Sequence, residues 1–324
     1  MKALLAKAFG PPETLVVEDV PDPVPGPGEL VVRVRAAALN FFDTLIIQNR
    51  YQFKPPLPFS PSAECAGTIE ALGPGVEGWE VGERVAAYLG WGAARERVVA
   101  PVERLTRIPE GLGFEGAAGL TVTYGTSLHA LKDRARLKAG ETLAVLGAAG
   151  GAGLAAVELG RLMGARVIAC ASSADKLALA TANGAQDALD YSAEPLRDGL
   201  KRLTDGRGVD VLYDPVGGDL AEPALRSMAW GGRYLVVGFA GGEIPRIPLN
   251  LVLLKGCDMQ GVFWGAHLDR DPDGHRANMA DLMAWAAAGR LSAHVDSTYP
   301  LEEAAAAFGR IARREARGKV VLVP

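Results

Sequence analysis

The stretch that decides the fold runs from Glu141 to Ser173, ETLAVLGAAGGAGLAAVELGRLMGARVIACASS. An apolar run, Thr142–Leu146, leads into Ala148-Ala149-Gly150-Gly151-Ala152-Gly153, then a helical stretch over 153–163, then a second apolar run, Arg166–Ala171. Strand, glycine-rich turn, helix and strand in that order form a dinucleotide fingerprint, with alanine at the first glycine position and glycines at the third and sixth. Small residues are needed there because the backbone must approach a pyrophosphate at a helix amino terminus, where unpaired N–H groups and the helix dipole favour anions. Tight helix–sheet packing is the competing reading of the hexapeptide alone; its setting between two strands favours the nucleotide.

The end of the second strand selects the cofactor. An NAD site carries Asp or Glu there to hold the ribose 2′-hydroxyl, whereas this chain reads Cys170-Ala171-Ser172-Ser173. No carboxylate stands there to repel a 2′-phosphate. Lys176 follows one turn into the next helix, and Tyr191 stands at the end of a third strand, a neighbour across a parallel sheet. Hydroxyl, ammonium and phenol make a phosphate-recognition set, so NADPH is the expected cofactor. Ser172 has a competing role as helix N-cap, with Asp175 completing a capping box.

Working outward, apolar runs alternate with alanine- and leucine-rich helical stretches from about residue 117, the signature of βαβ units and a parallel sheet. Strands are expected at 142–146, 166–171, 188–191, 209–214 and 233–238, and helices at 153–163 and 174–183. Before residue 115 the texture differs. Short runs at 15–19, 30–39, 65–72, 83–89 and 95–100 are separated by PDPVPGPGE, PPLPFSP and GPGVEGWEVGE, which reads as an all-β barrel or sandwich with Pro and Gly at its corners. After residue 265 the chain is helical and polar and then closes on Lys319–Val323. The expectation is an α/β protein with a β-rich domain over 1–117 and 265–324 and a doubly wound domain over 118–264.

Composition agrees. Forty glycines in 324 residues exceed the usual share of about 7%, and with 49% hydrophobic and 22% charged residues they describe a globular chain rich in tight turns. A net charge of −4 with no long run of like charge argues against nucleic acid as the main partner. Cys65, Cys170 and Cys257 are far apart, so neither a disulfide framework nor a zinc cluster is indicated. With no apolar stretch of membrane-spanning length, no membrane partner and a cytoplasmic setting are expected. His129, His267, His275 and His294 lack HExxH or paired spacing, and no metal site is expected. There is no GxSxG elbow and no Walker loop, which removes the common hydrolase and NTPase readings. Asn40 and Asp43 lie among apolar residues; such groups need partners, so they either cap a helix beginning near Phe42 or aim into a pocket.

Taken together, Asn40-Phe41-Phe42-Asp43-Thr44 with Tyr51, ECAG at 64–67, GWEVGERV at 78–85, GLTVTY at 119–124, the loop at 148–153, YDPVGG at 213–218, GVFWG at 261–265 and GKVVL at 318–322 resemble the zinc-free quinone oxidoreductases of the medium-chain dehydrogenase/reductase superfamily. The resemblance covers essentially the whole chain. It implies a GroES-like β-rich catalytic domain interrupted by a Rossmann domain, with the active site in the cleft between them. Zinc-using relatives carry a cysteine near Asn40 and a histidine at the place of Ala63. By the same resemblance Asn40 lies beside the nicotinamide, and Phe41, Phe42, Asp43, Thr44 and Leu45 touch the cofactor. Thr121, Tyr124, the loop residues Ala149, Gly150, Gly151, Ala152 and Gly153, then Ser172, Ser173, Lys176 and Tyr191 match cofactor contacts. So do Gly238, Phe239, Ala240, Val262, Phe263, Trp264, Arg314 and Lys319. Pro215 departs from the serine of relatives, which puts one hydrogen bond in doubt. The related enoyl-thioester reductases share the spacing from Asn40 to Tyr51, and their tyrosine positions the substrate carbonyl.

The activity this implies is NADPH-dependent, metal-free hydride transfer to a quinone or another conjugated carbonyl. Reduction of 2-enoyl thioesters or enals is the alternative within the fold, and a non-catalytic NADPH-binding regulator is the alternative outside it. The resemblance also implies a homodimer joined through Rossmann sheet edges, with the apolar stretches 247–254 and 259–264 at that edge.

Overall fold

The apolar runs become strands, and the glycine and proline clusters between them become turns, in the computed structural model, which describes residues 1–324. In chain order the first elements are β1 Lys2–Leu5, β2 Val16–Asp19, β3 Glu29–Leu39, α1 Phe41–Ile46, β4 Glu64–Leu72, β5 Arg84–Tyr88, β6 Arg97–Pro101, β7 Leu105–Arg107 and α2 Phe114–Leu128. They are followed by β8 Thr142–Leu146, α3 Gly151–Leu162, β9 Arg166–Ala171, α4 Ala174–Ala182, β10 Asp187–Asp190, α5 Leu196–Leu203, β11 Val209–Asp214, α6 Ala221–Arg226, β12 Met228–Val236, α7 Asn250–Lys255, β13 Asp258–Gly261 and α8 Trp264–Arg270. The chain ends with α9 Pro272–Ala287, β14 Val295–Pro300, α10 Ala304–Ala312 and β15 Lys319–Val323. Two units result, residues 1–122 with 273–324, and residues 123–272. The borders of these units fall inside α2 and at the start of α9, with α8 in the second unit.

The first unit is built on a seven-stranded sheet in the order β14-β15-β3-β4-β5-β7, with β6 also paired to β3. Its core gathers Leu30, Val32, Val34, Leu39, Ile69, Val85 and Phe308. β3 is buried on both faces towards its end, where a polar group must find a partner within the protein. Register decides which partners are available: Glu64 lies opposite Ala38 and Val320 opposite Leu39. Gly67 is demanded by the same crowding, since a Cβ there would strike the Arg33 carbonyl.

The second unit holds six parallel strands in the order β10-β9-β8-β11-β12-β13. All five residues of β8 are buried, as expected for a strand covered on both faces. The order reverses beside β8, and ligands of such sheets bind at the carboxyl ends of the strands at that switch point. β12 begins at Met228, well before the expected 233, because Gly231 and Gly232 fall within the strand; the register against β11 shifts at that point and Gly231 takes φ 72°. β1, β7 and β14, missed in the sequence, are short or lie at sheet edges. No helix is long and apolar enough to cross a membrane.

Candidate active site

In the parallel-sheet unit the turn after β8 does what the fingerprint requires. Gly147 adopts φ 59°, Gly150 caps α3 in an extended conformation, and its N–H donates to the Gly147 carbonyl at 3.0 Å. A Cβ on Gly153 would collide with the Gly147 carbonyl and the Ala148 backbone, so glycine is what lets α3 start directly behind β8. The first-turn N–H groups of Gly151, Ala152 and Gly153 have no partner inside the helix and form an anion cradle.

At the end of β9 the N-cap of α4 is Ser173 rather than Ser172. This shift by one residue keeps the Ser172 hydroxyl out of the cap, and it accepts from the Lys176 ammonium at 3.4 Å. Tyr191 follows β10, its N–H donating to the Ala171 carbonyl at 3.1 Å, which brings it alongside the end of β9. Serine, lysine and tyrosine are thus collected at one sheet edge. Gly238, Phe239 and Ala240 lie in the loop after β12, held by bonds from Gly238 N–H to Asp214 O and from Ala240 N–H to Pro215 O. Asp214, which sequence reading passed over, anchors this end of the sheet. Its Oδ1 accepts from Val216 and Gly217 N–H at 2.8 Å each, and it bonds the Tyr234 hydroxyl; burial pushes its carboxyl above the usual range.

Two residues expected at the cofactor are buried in the parallel-sheet unit. The Tyr124 hydroxyl donates to Glu158 Oε2 at 2.7 Å, fixing α2 to α3. Trp264 is buried on Gly125, where a Cβ would meet its ring. Val262 is buried and Phe263 half exposed.

In the β-rich unit Asn40, at the end of β3, is the hub. Its Nδ2 donates to Glu64 Oε1 at 2.9 Å, and its Oδ1 accepts from the Lys319 ammonium at 2.7 Å. Lys319 also donates to Glu64 Oε1 at 2.8 Å and to the Leu39 carbonyl at 3.0 Å. Glu64 Oε2 accepts from Val122 N–H at 2.6 Å. The Lys319 and Glu64 side chains are 3% and 0% exposed, so this is a buried ion pair with satisfied members. All three ammonium protons of Lys319 are used within the cluster.

Asp43 contributes the carboxylate arm of a capping box on α1, accepting from Asn40 N–H at 2.7 Å. Its other oxygen, Oδ1, is buried without a partner, and burial pushes the carboxyl up to about 7. The Thr44 hydroxyl donates to the Phe41 carbonyl at 2.6 Å, so both polar residues of α1 serve the helix, while Leu45 is half-buried. Thr121 is buried and its hydroxyl has no partner in the protein, an orphan donor of the kind a ligand satisfies.

Tyr51 stacks on Phe42 with centroids 5.3 Å apart and meets Phe53 edge-on at 5.5 Å; Phe53 leans on Trp91 at 6.4 Å. This aromatic row follows directly on the Asn40 turn. Burial, and secondarily the nearby Asp43, push the Tyr51 phenol up to about 12, so it stays protonated at neutral pH. Arg314 sits past α10 at φ 58°, exposed, apart from the buried cluster. Sequence reading missed Glu64 as a site residue; its signal is an acidic residue within an otherwise apolar strand run, Glu64-Cys65-Ala66-Gly67.

Residues 26–110 match the alcohol dehydrogenase GroES-like domain family, and residues 151–287 the zinc-binding dehydrogenase family. The chain is 38% identical over 312 residues to quinone oxidoreductase-like protein 2 of Rattus norvegicus, covering 96% of this chain and 89% of that protein. It is 34% identical to the quinone oxidoreductase of Pseudomonas aeruginosa over 100% of this chain and 99% of the relative. The crystal structure of Escherichia coli quinone oxidoreductase complexed with NADPH superimposes with a TM-score of 0.93 at 27% identity, covering both chains fully. With the fold, the glycine turn and the similarity over the full length in agreement, the chain belongs to the quinone oxidoreductase-like branch of the medium-chain dehydrogenase/reductase superfamily.

Proposed function

We propose that this protein is a cytoplasmic, NADPH-dependent reductase of quinones or other conjugated carbonyls whose reaction centre uses no metal. The observation that carries the reading is the Asn40 cluster beside the aromatic row of Phe42, Tyr51, Phe53 and Trp91. A planar conjugated acceptor suits stacked aromatic faces. Lys319 is itself the buried cation of that cluster, and a metal ion beside it would face like-charge repulsion at low dielectric.

The donor set fits the nucleotide. The glycine turn and α3 N–H groups suit its pyrophosphate, Ser172, Lys176 and Tyr191 its 2′-phosphate, and the orphan Thr121 hydroxyl awaits a polar ligand atom. When bound, NADPH supplies the hydride. The protein's part is positioning and charge stabilisation. The Asn40 amide, with oxygen and nitrogen fixed by Lys319 and Glu64, presents one orientation only. The Tyr51 hydroxyl donates a hydrogen bond to the acceptor oxygen as negative charge gathers there. We further propose a homodimer joined at the β13 edge of the parallel sheet.

An NADPH-oxidation assay with 1,4-benzoquinone, crotonyl-CoA and acrolein, each with and without chelator, tests the activity. Benzoquinone turnover that survives chelation is expected. Preferential turnover of crotonyl-CoA would move the reading to an enoyl-thioester reductase, and tight NADPH binding without turnover of any acceptor would refute catalysis.

A further inference from the structure

Histidines that the sequence leaves unrelated are brought together in the parallel-sheet unit. After Leu128, α2 widens into a π turn over His129–Arg134, a feature that often marks functional positions. Within it the His129 Nδ1 and Asp133 Oδ2 approach to 2.9 Å. His267, on α8, stacks its ring on His129 with centroids 3.9 Å apart and planes 19° from parallel. One ligand atom from each of His129, Asp133 and His267 lies within 4.8 Å of the others. His129 is buried, and the Nε2 of His267 is buried without a hydrogen-bond partner.

We propose that His129, Asp133 and His267 form a binding site for a borderline divalent cation of the Zn2+ class, separate from the chemistry at Asn40. Two imidazoles and one carboxylate are a donor set for Zn2+, Co2+ or Ni2+ and a poor one for Mg2+ or Ca2+, which take oxygen ligands. His129 Nδ1 and Asp133 Oδ2 stand 2.9 Å apart, and a small separation to about 3.4 Å lets both ligate one tetrahedral ion at bond lengths of about 2.0–2.2 Å, with the neutral His129 ring carrying its proton on Nε2. A side-chain rotation of the half-buried His267 out of the stack turns a ring nitrogen onto the ion. Three protein ligands leave a position open to water.

The site would be a clamp. It joins the π turn to α8, immediately after the Val262–Trp264 segment, where Trp264 already rests on Gly125. A cation there therefore stabilises the folded unit without entering the reaction.

The test uses untagged full-length protein stripped with chelator. Calorimetric titration with Zn2+ is expected to show saturable binding of one ion per chain, and Co2+ to give the intense visible bands of a low-symmetry nitrogen–oxygen site. Mg2+ is expected to give neither signal. H267A, H129A and D133N should each weaken Zn2+ binding by more than about tenfold and abolish the rise in Tm that Zn2+ gives the wild type. H267Q keeps the volume of the side chain and serves if an alanine variant fails to fold. No saturable Zn2+ binding by the wild type, equal binding of Mg2+, or Zn2+ binding unchanged in the His267 and His129 variants would overturn the proposal.

Discussion

Lys319 and Glu64 are the residues on which the β-rich unit's polar centre depends. A buried pair of this kind is weak support for stability in itself, but removing one member strands the other charge. K319M is therefore expected to destabilise the fold by about 3–5 kcal/mol, whereas K319M/E64Q recovers most of that loss by removing the stranded carboxylate. The double variant would still lack the ammonium that orients Asn40, so benzoquinone turnover should stay low while urea unfolding returns towards wild type. Equal stability of the single and double variants would show that the pair is not coupled. Asp43 gives a second residue-scale expectation. Its folded-state pKa of about 7, against 3.8 ordinarily, means that the folded protein binds the extra proton between those values. Its contribution is present at low pH and lost as pH rises through 7. The stability of D43N relative to wild type should thus increase from pH 5 to pH 8; a difference that stays constant with pH would refute the assignment. For cofactor choice, K176A should weaken NADPH binding much more than NADH binding in a fluorescence titration, and equal losses would contradict the role of the Ser172–Lys176–Tyr191 set.

Among the elements, the turn from β8 into α3 carries the sharpest expectation. Gly153 packs where a Cβ meets backbone atoms that cannot swing away, so G153A should cost about 1–3 kcal/mol and reduce NADPH affinity. Unchanged melting and binding would mean the turn tolerates widening. Much of this element was legible beforehand, because strand, glycine turn and helix each leave a local periodic signal. β8, β9 and β11 begin and end where their apolar runs do. The N-cap of α4 was displaced by one residue, since Ser172 and Ser173 are equivalent to a spacing argument and only strand length separates them. Asn40 and Asp43 were readable as an anomaly, but which of capping and pocket applied was not. Both apply: Asn40 is the N-cap of α1 with Asp43 bonding back to its N–H, while the Asn40 side chain turns to Glu64 and Lys319, partners 24 and 279 residues away. Register between distant strands brings these groups together, and no local pattern encodes it. The same holds for His129 and His267, whose proximity depends on where α8 returns to the sheet.

For the molecule as a whole, the distribution of apolar surface bears on assembly. β13 closes the parallel sheet with only β12 as neighbour, and an edge strand in that position invites pairing with another chain. Around it, α7 exposes Leu253 and Leu254 at 78% and 68%, and Trp230, at 83%, covers the Gly256 turn that leads from α7 into β13. Large apolar side chains gathered on consecutive elements, rather than scattered singly, mark an association surface. In the proposed homodimer, a two-fold arrangement of two copies about the β13 edge would pair identical strands antiparallel and would cover both sets of leucines, since the same patch meets itself. Sedimentation velocity should therefore find dimers at micromolar concentration, and L253E/L254E should shift the protein to monomer by burying like charges against each other. Because neither substitution touches the Asn40 cluster or the β8–α3 turn, NADPH binding should persist in that monomer. A wild type that sediments only as monomer would reject the dimer, and loss of nucleotide binding together with dissociation would mean that the parallel-sheet unit needs its partner to hold its shape.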